Sequence, residues 1–141
     1  KRQMHNWTGT STQSKSQIFY DDATKTGSVT IRVRLDSFDS KLSSRDSNML
    51  YYTDALDFPE VVFKSTQANV DRDSVYIEGD LTFHGITKKI KTSAYIQIDN
   101  NPTVSGSFQI NLSDFNVRRP SLMFIKIKDE VRIDYLFKTV Q

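Results

Sequence analysis

The chain contains two histidines, His5 and His84, and histidine is the side chain most often used near neutral pH for proton transfer and metal binding. The two imidazoles belong to no spacing motif, and the absence of cysteine excludes thiolate catalysis and cysteine-bound zinc. Serine and aspartate occur mainly in turn segments, where both cap and bend the backbone. A hydrolase would need serine, histidine and an acid within reach of one another. The residue types therefore favour neither a metal site nor a catalytic centre.

Two other polar segments are candidates for chemistry, and each has a simpler structural explanation. Ser43 fits the N-cap of a helix with Asp46 three residues later, the spacing of a capping box, which accounts for the Arg-Asp-Ser segment at 45–47. Arg118 and Arg119 are adjacent and could bind a phosphate head group, because guanidinium groups pair well with phosphate oxygens. Such a pair is more often part of a solvated loop, so the head-group hypothesis stays an alternative.

Alternation of apolar and polar residues dominates the chain and predicts β-strands. The clearest strand segments are 29–35, 75–83, 90–98, 104–110 and 131–137, and weaker ones are 7–14, 17–21 and 61–70. One stretch lacks the alternation and predicts a short helix at about residues 44–56, closed by Pro59. Seven or eight short strands with one apolar face each predict an all-β fold, either a sandwich or a closed barrel. The sequential hairpin order favours an up-and-down arrangement.

His84 and Gly85 fit the centre of a two-residue hairpin turn, with Phe83 opposite Ile86. Such a turn needs positive φ at its centre, where histidine is enriched among non-glycine residues and glycine is unstrained. In this register apolar residues meet apolar residues almost throughout, and a slip of one residue would turn the apolar set outward. His84 is therefore predicted to be a turn residue.

Lys88 falls on the inward, apolar face in this register, opposite Leu81. Burial of a lone ammonium group would be costly. We therefore expect Lys88 to lie at the rim of the fold, with its stem inside and its ammonium group reaching water or the polar end of a ligand.

Length and charge narrow the class of protein further. The 141 residues predict a single domain, 1–141, and 19 basic against 17 acidic residues give a net charge of only +2, which does not indicate a nucleic-acid surface. No apolar run approaches the roughly 18 residues of a membrane helix, so no integral membrane segment is expected. The first residues, KRQMHNW, are not a signal peptide, although an exported chain would look the same after its signal peptide is removed.

Five segments resemble the YceI-like family of lipid-binding proteins: IEGDLTFHGITKKI, VRLDSFDSKLSSRDSNML, LDFPEVVFKST, GSFQINLSDFNV and DEVRIDYLF. The resemblance covers nearly the whole chain. It implies a lipocalin-like antiparallel β-barrel that holds a long isoprenoid chain, is exported to the bacterial periplasm or secreted, and has no catalytic centre. Because the family has a further strand before the MHNWTG segment, the resemblance also implies either a strand upstream of Lys1 or an open seam in the barrel.

The predicted ligand site is the apolar interior of this barrel, which in an eight-stranded barrel is filled by side chains or holds one slim ligand. The residues expected to line it are Ile31, Val33, Leu35, Phe63, Ile77, Leu81, Phe83, Ile90, Ile96, Phe108, Ile133, Tyr135 and Phe137. Met49, Leu50, Phe58, Met123 and Phe124 are expected to close its mouths. The expected occupant is a polyisoprenoid or an isoprenoid quinone, carried or stored without any other cofactor.

Two alternatives remain at the level of sequence. The same apolar residues would equally well fill a dry core, and only the resemblance favours a ligand. A ligand-free interaction module is the other alternative, because an open sheet edge invites a strand from another protein or from a second copy in a homodimer.

Overall fold

A computed structural model of the chain describes residues 8–97, 103–118, 121–122, 125–126 and 128–138. The elements follow in the order β1 (Lys15–Asp21), β2 (Thr26–Arg34), α1 (Ser43–Tyr52), β3 (Glu60–Asp71), β4 (Ser74–Phe83), β5 (Ile86–Gln97), β6 (Thr103–Asn111), β7 (Ser121–Leu122), β8 (Ile125–Lys126) and β9 (Glu130–Lys138). Single 3₁₀ turns lie at Leu35–Ser37 and Leu112–Phe115. The fold is therefore mostly β with one short helix, as predicted.

Seven strands form one antiparallel sheet in the order β1-β2-β3-β4-β5-β6-β9, and β7 pairs with β8. This is the up-and-down order that the hairpin pattern predicts, and the sheet is curled into a half-barrel. Val61 on β3 and Val131 on β9 pack against one apolar cluster although four strand steps separate them. In a flat sheet four steps would span about 19 Å, so the strands must wrap around a common interior.

The β4–β5 hairpin has the predicted register along its whole length, from Ser74 opposite Tyr95 to Phe83 opposite Ile86. His84 and Gly85 form the turn with φ of 56° and 74°. Gly85 also leaves room for a neighbour, because a Cβ atom there would lie 2.7 Å from Cε1 of Phe58. The prediction that His84 lets the chain turn is confirmed.

Helix α1 is confirmed, but its ends differ from the prediction. It ends at Tyr52 instead of residue 56, and a turn follows over residues 53–57. The capping box is wrong, because the N-cap is Leu42 and no side chain caps the helix there. The Asp46 carboxylate instead accepts hydrogen bonds from the backbone N–H and the hydroxyl of Ser40, outside the helix. Of the weak strand candidate at 7–14, the described part makes only a single bridge, between Thr10 and Asp39.

Two apolar clusters fill the concave side of the sheet. The α1-end cluster contains the buried residues Leu35, Leu81, Phe83, Ile110, Phe115 and Val117. The far cluster contains Ala68, Val75, Ile77 and Ala94. Phe63 packs against both clusters, and a Cβ atom at Gly79 would lie 2.6 Å from Cζ of its ring. The absence of a side chain at Gly79 thus lets the Phe63 ring pack closely against strand β4.

Candidate functional site

The predicted lining residues lie on the concave face, but they are buried to different degrees. Leu35, Ile77, Leu81 and Phe83 are buried. The remaining predicted lining residues are only half-buried: Ile31, Val33, Phe63, Ile90, Ile96, Phe108, Ile133, Tyr135 and Phe137. Apolar side chains that only fill a core are normally packed to near-complete burial. The apolar side chains on the strands that flank the buried strand β4 therefore keep part of their surface accessible.

The residues predicted to close the mouths lie in different places. Met49 and Leu50 on α1 are half-buried and pack against the α1-end cluster. Phe58 lies beside the β4–β5 turn, with its ring centroid 5.0 Å from that of His84. Met123 and Phe124 lie outside the described residues. The structure thus brings Met49, Leu50 and Phe58 to the same end of the half-barrel as the turn.

Tyr135 adds a polar group to the otherwise apolar interior. Its hydroxyl lies 3.0 Å from Oγ1 of Thr92, and the Thr92 hydroxyl donates to the carbonyl of Ser107 at 3.1 Å. Since Thr92 has one hydroxyl proton, Tyr135 is the donor in the bond between them, and its oxygen keeps its lone pairs. Burial raises the pKa of the Tyr135 phenol, and the hydrogen bond with Thr92 offsets part of that rise. Thr92 was not predicted, although strand alternation places this polar residue on the inward face.

His84 joins three segments at the α1 end. Its Nδ1 lies 2.7 Å from the carbonyl oxygen of Phe115, and its Nε2 lies 2.7 Å from Oδ2 of Asp54. The carbonyl oxygen of Phe115 can only accept, so Nδ1 carries a proton and donates to it, while Nε2 pairs with the Asp54 carboxyl group. The side chain therefore ties the hairpin turn to the segment after α1 and to the 3₁₀ turn that ends at Phe115. Sequence reasoning missed this role.

Phe115 is the most deeply buried large side chain among the described residues, at 1% exposure. Its ring lies 5.5 Å from that of Phe83, measured between centroids. The 3₁₀ turn that carries it is held at its start by Asp129, whose carboxylate accepts from the backbone N–H of Ser113 at 2.7 Å and from its hydroxyl at 2.6 Å. The place of Phe115 in the core was not predicted from the sequence.

A surface pocket of about 390 Å³ opens between β5 and β6. It is lined by Lys88, Lys89, Ile90, Gln109, Ile110, Asn111, Asp114, Phe115 and Glu130. Lys88 lies opposite Leu81 in the hairpin register and is exposed, so its ammonium group is at the rim as expected. Ile90, Ile110 and Phe115 form the less exposed, inner part of this pocket.

Arg118 lies against helix α1. Its guanidinium carbon is 5.9 Å from the ring centroids of both Tyr51 and Tyr52, a distance typical of cation–π contacts. Arg119 lies outside the described residues, so the predicted arginine pair is described only in part. The contact with two tyrosines gives Arg118 a structural role at the α1 end.

A family model of the YceI-like domain matches residues 1–139 of the chain. The chain belongs to the YceI-like family. This confirms the family to which the five sequence segments pointed.

This YceI-like domain is similar to curated relatives and to solved structures. Protein YceI of Escherichia coli is 26% identical over 99 residues, which are 64% of this chain and 52% of that protein. The chain thus spans about half the length of the curated relatives that it matches. The crystal structure of BcnA from Burkholderia cenocepacia has a TM-score of 0.79 and 22% identity, and covers 91% of this chain and 84% of that one. At this identity the likeness shows a shared fold.

One further solved structure is described as a polyisoprenoid binding domain from Saccharophagus degradans, implicated in plant cell wall breakdown. It has a TM-score of 0.55 and 15% identity, and covers 77% of this YceI-like domain and 79% of that chain. At this identity the likeness concerns the fold alone.

Within 8–97, 103–118 and 128–138, no three His, Asp or Glu side chains converge in a way that could hold a metal ion. His5 lies outside the described residues. In the same ranges, no helix has both the length and the apolar character needed to cross a bilayer.

Proposed function

We propose that this YceI-like domain binds a long apolar isoprenoid-type lipid, a polyisoprenoid or an isoprenoid quinone, in its half-barrel and carries or stores it. The observation that carries the proposal is the row of half-buried apolar side chains on the concave face, which runs from Ile31 and Val33 on β2 to Ile133 on β9. A hydrocarbon chain laid on such a surface gains about 0.8 kcal/mol for each buried CH₂ group. Ten such groups would contribute about 8 kcal/mol before the cost of ordering the chain is subtracted.

The solved polyisoprenoid binding domain of similar fold supports this choice of ligand class. A polyprenyl chain is slender and carries few polar groups, so it suits a surface with little inward charge.

We assign the domain no catalytic step. The two ring nitrogens of His84, the histidine within the described residues, are both engaged, by Asp54 and by the Phe115 carbonyl. A general base needs a free nitrogen within reach of a substrate proton. Export to the bacterial periplasm, or secretion, is part of the same proposal and is supported by membership of the family.

Organic extraction of the purified domain followed by mass spectrometry tests this function. A long polyprenyl or quinone species in the extract, and reloading of the extracted protein with solanesol or ubiquinone-10, are the expected results. An empty extract combined with failure to take up either lipid would overturn the proposal.

A second candidate function rests on strand β1. Every residue of β1 is exposed, including Ile18, Phe19 and Tyr20, and within the described residues the strand has β2 as its one neighbour. An apolar edge of this kind favours pairing with another chain, so a ligand-free interaction module or a homodimer is the alternative. Light scattering of the lipid-extracted protein distinguishes them, because a stable oligomer without lipid uptake favours the module.

A further inference from the structure

Strands β5 and β6 separate over more than half of their length. Their ladder consists of four residue pairs, from Gln97 opposite Thr103 to Ala94 opposite Gly106. By contrast, β4 and β5 pair over ten positions and β6 and β9 over nine. From Ile86 to Ser93, β5 therefore has no ladder partner among the described residues of β6.

Side chains hold the point at which the two strands part. At Gly106 a Cβ atom would lie 3.0 Å from the carbonyl oxygen of Ser93 and would collide with the Tyr135 hydroxyl. Just beyond, the Thr92 hydroxyl donates to the carbonyl of Ser107 and accepts from Tyr135. The backbone ladder between β5 and β6 thus ends at Gly106, and the hydroxyl groups of Thr92 and Tyr135 form the hydrogen bonds just beyond it. The identity of these residues therefore determines where the two strands separate.

The gap beyond this point has the chemistry of an entrance for an amphipathic molecule. Its inner wall is formed by Ile90, Ile110 and Phe115, and its outer wall carries charged and amide groups, namely Lys88, Lys89, Gln109, Asn111, Asp114 and Glu130. The pocket between the two strands has a volume of about 390 Å³ and is open to solvent. An apolar inner wall with a polar rim suits a lipid whose hydrocarbon chain lies inside the gap and whose polar end stays at the rim.

Phe115 closes the inner end of this gap. It packs on Phe83 inside the α1-end cluster and also borders the pocket. Its position depends on the 3₁₀ turn, which is held by Asp129 at one end and by His84 at the Phe115 carbonyl. The half-buried Phe108 and Ile133 pack against the same α1-end cluster as Phe115.

We propose that the gap between β5 and β6 is a side entrance to the half-barrel, through which a slender apolar chain passes with Phe115 as the stopper. This inference rests on the proposed lipid-binding function and adds the route by which the lipid enters the half-barrel. The chain slides between the strands once the 3₁₀ turn yields, and the polar end of the lipid stays at the rim between Lys88, Lys89 and Asn111.

A cross-link across the gap tests the route, and the absence of cysteine in the chain makes the labelling specific. Continuing the register of Tyr95 opposite Ser105 by four residues brings Lys91 to face Gln109, and both are exposed. The double variant K91C/Q109C is bridged with a short bismaleimide and checked by mass spectrometry. The matched control bridges the same two strands where they are already paired, with Y95C/S105C.

The readout is the rate at which the extracted protein takes up the fluorescent apolar probe N-phenyl-1-naphthylamine. We expect the bridge to slow uptake on the order of tenfold, because it spans the gap through which the chain passes, and the control bridge to leave the rate unchanged. Equal rates in the bridged and unbridged K91C/Q109C protein would overturn the entrance while leaving lipid binding intact. Absence of probe binding in every form would instead overturn the proposed function and the entrance with it.

A second variant tests the stopper without any cross-link. Phe115→Leu shortens the side chain at the inner end of the gap but keeps it apolar, so the fold should be retained. Faster uptake and release of the same probe are expected. Unchanged rates in a folded F115L protein would contradict the role of Phe115.

Discussion

Nε2 of His84 and Oδ2 of Asp54 lie 2.7 Å apart and join the β4–β5 turn to the segment that follows helix α1. Both residues lie in turns and have positive φ, 56° for His84 and 52° for Asp54. The second ring nitrogen binds the carbonyl of Phe115. The His84 ring thus links the β4–β5 turn to the segment after helix α1 and to Phe115.

Replacement of His84 by asparagine should destabilise the domain without changing the turn. Asparagine tolerates positive φ, so the hairpin stays, but both long-range hydrogen bonds of the ring are lost. The bond to the Phe115 carbonyl contributes about 0.5 to 1.5 kcal/mol and a bond to a charged group about 1.5 to 3 kcal/mol. Since the Asp54 side chain is 41% exposed, its share is reduced by solvent, and we expect a total loss of about 1 to 3 kcal/mol. Urea unfolding measures this, and a variant as stable as wild type would contradict the role.

Tyr135→Phe should change how stability depends on pH. Burial raises the pKa of the Tyr135 phenol, so the folded chain holds this proton more tightly than the unfolded chain, in which tyrosine ionises near about pH 10. The stabilising contribution is therefore fully present below about pH 10 and is lost as the pH rises through the folded pKa. The free energy of unfolding of Y135F should fall less steeply above pH 10 than that of wild type, by urea titration. Tyr95→Phe, on the exposed outer face, is the control, and identical slopes in all three proteins would refute the prediction.

Phe115→Ala should be the most destabilising of the changes considered. Removing a buried phenylalanine ring costs about 3 to 5 kcal/mol, through lost transfer free energy and the cavity left behind. The matched control is Phe19→Ala on β1, where the ring is 66% exposed and the change should stay within about 0.5 kcal/mol. Thermal and urea unfolding of the two variants measure the difference. Similar losses in both would show that Phe115 does not hold the α1-end cluster together.

Ile133→Lys should weaken lipid binding while leaving the domain folded. The side chain is inward-facing on β9 and half-buried, so an ammonium group there would reach water at the cost of the apolar surface. Retention of solanesol should fall by about tenfold or more, equivalent to 1.4 kcal/mol. Leu136→Lys, on the outer face of the same strand with 62% exposure, is the control and should bind normally. Equal retention by the two variants would argue against the concave face as the lipid site.

The local features of the fold could be predicted because their causes are local in sequence. The turn at His84–Gly85 and the register that follows from it depend on neighbouring residues and on strand alternation, and the structure has both. The capping box failed because Asp46 bonds to Ser40 instead of the helix start, a choice that spacing alone does not reveal.

The features that involve distant residues could not be predicted from one sequence. The bonds of His84 to Asp54 and to Phe115 span 30 and 31 residues, and nothing near His84 indicates either partner. The parting of β5 and β6 is equally hidden, because Ile90 in the open part and Ala94 in the paired part show the same alternation. Both features depend on how the sheet curls, which a pattern of period two does not encode.

Strands β1 and β4 differ in burial and in pairing, and we expect this difference to set the order in which they open locally. All residues of β1 are exposed and it is held by β2, whereas β4 is paired on both sides by β3 and β5 and its alternate residues are buried. Edge strands with little buried surface open locally at lower free energy than central ones. Amide protons of β1 should therefore exchange with deuterium long before those of β4. Local opening of β1 should leave the β4–β5 hairpin paired, so that β2 becomes the outer edge of the sheet.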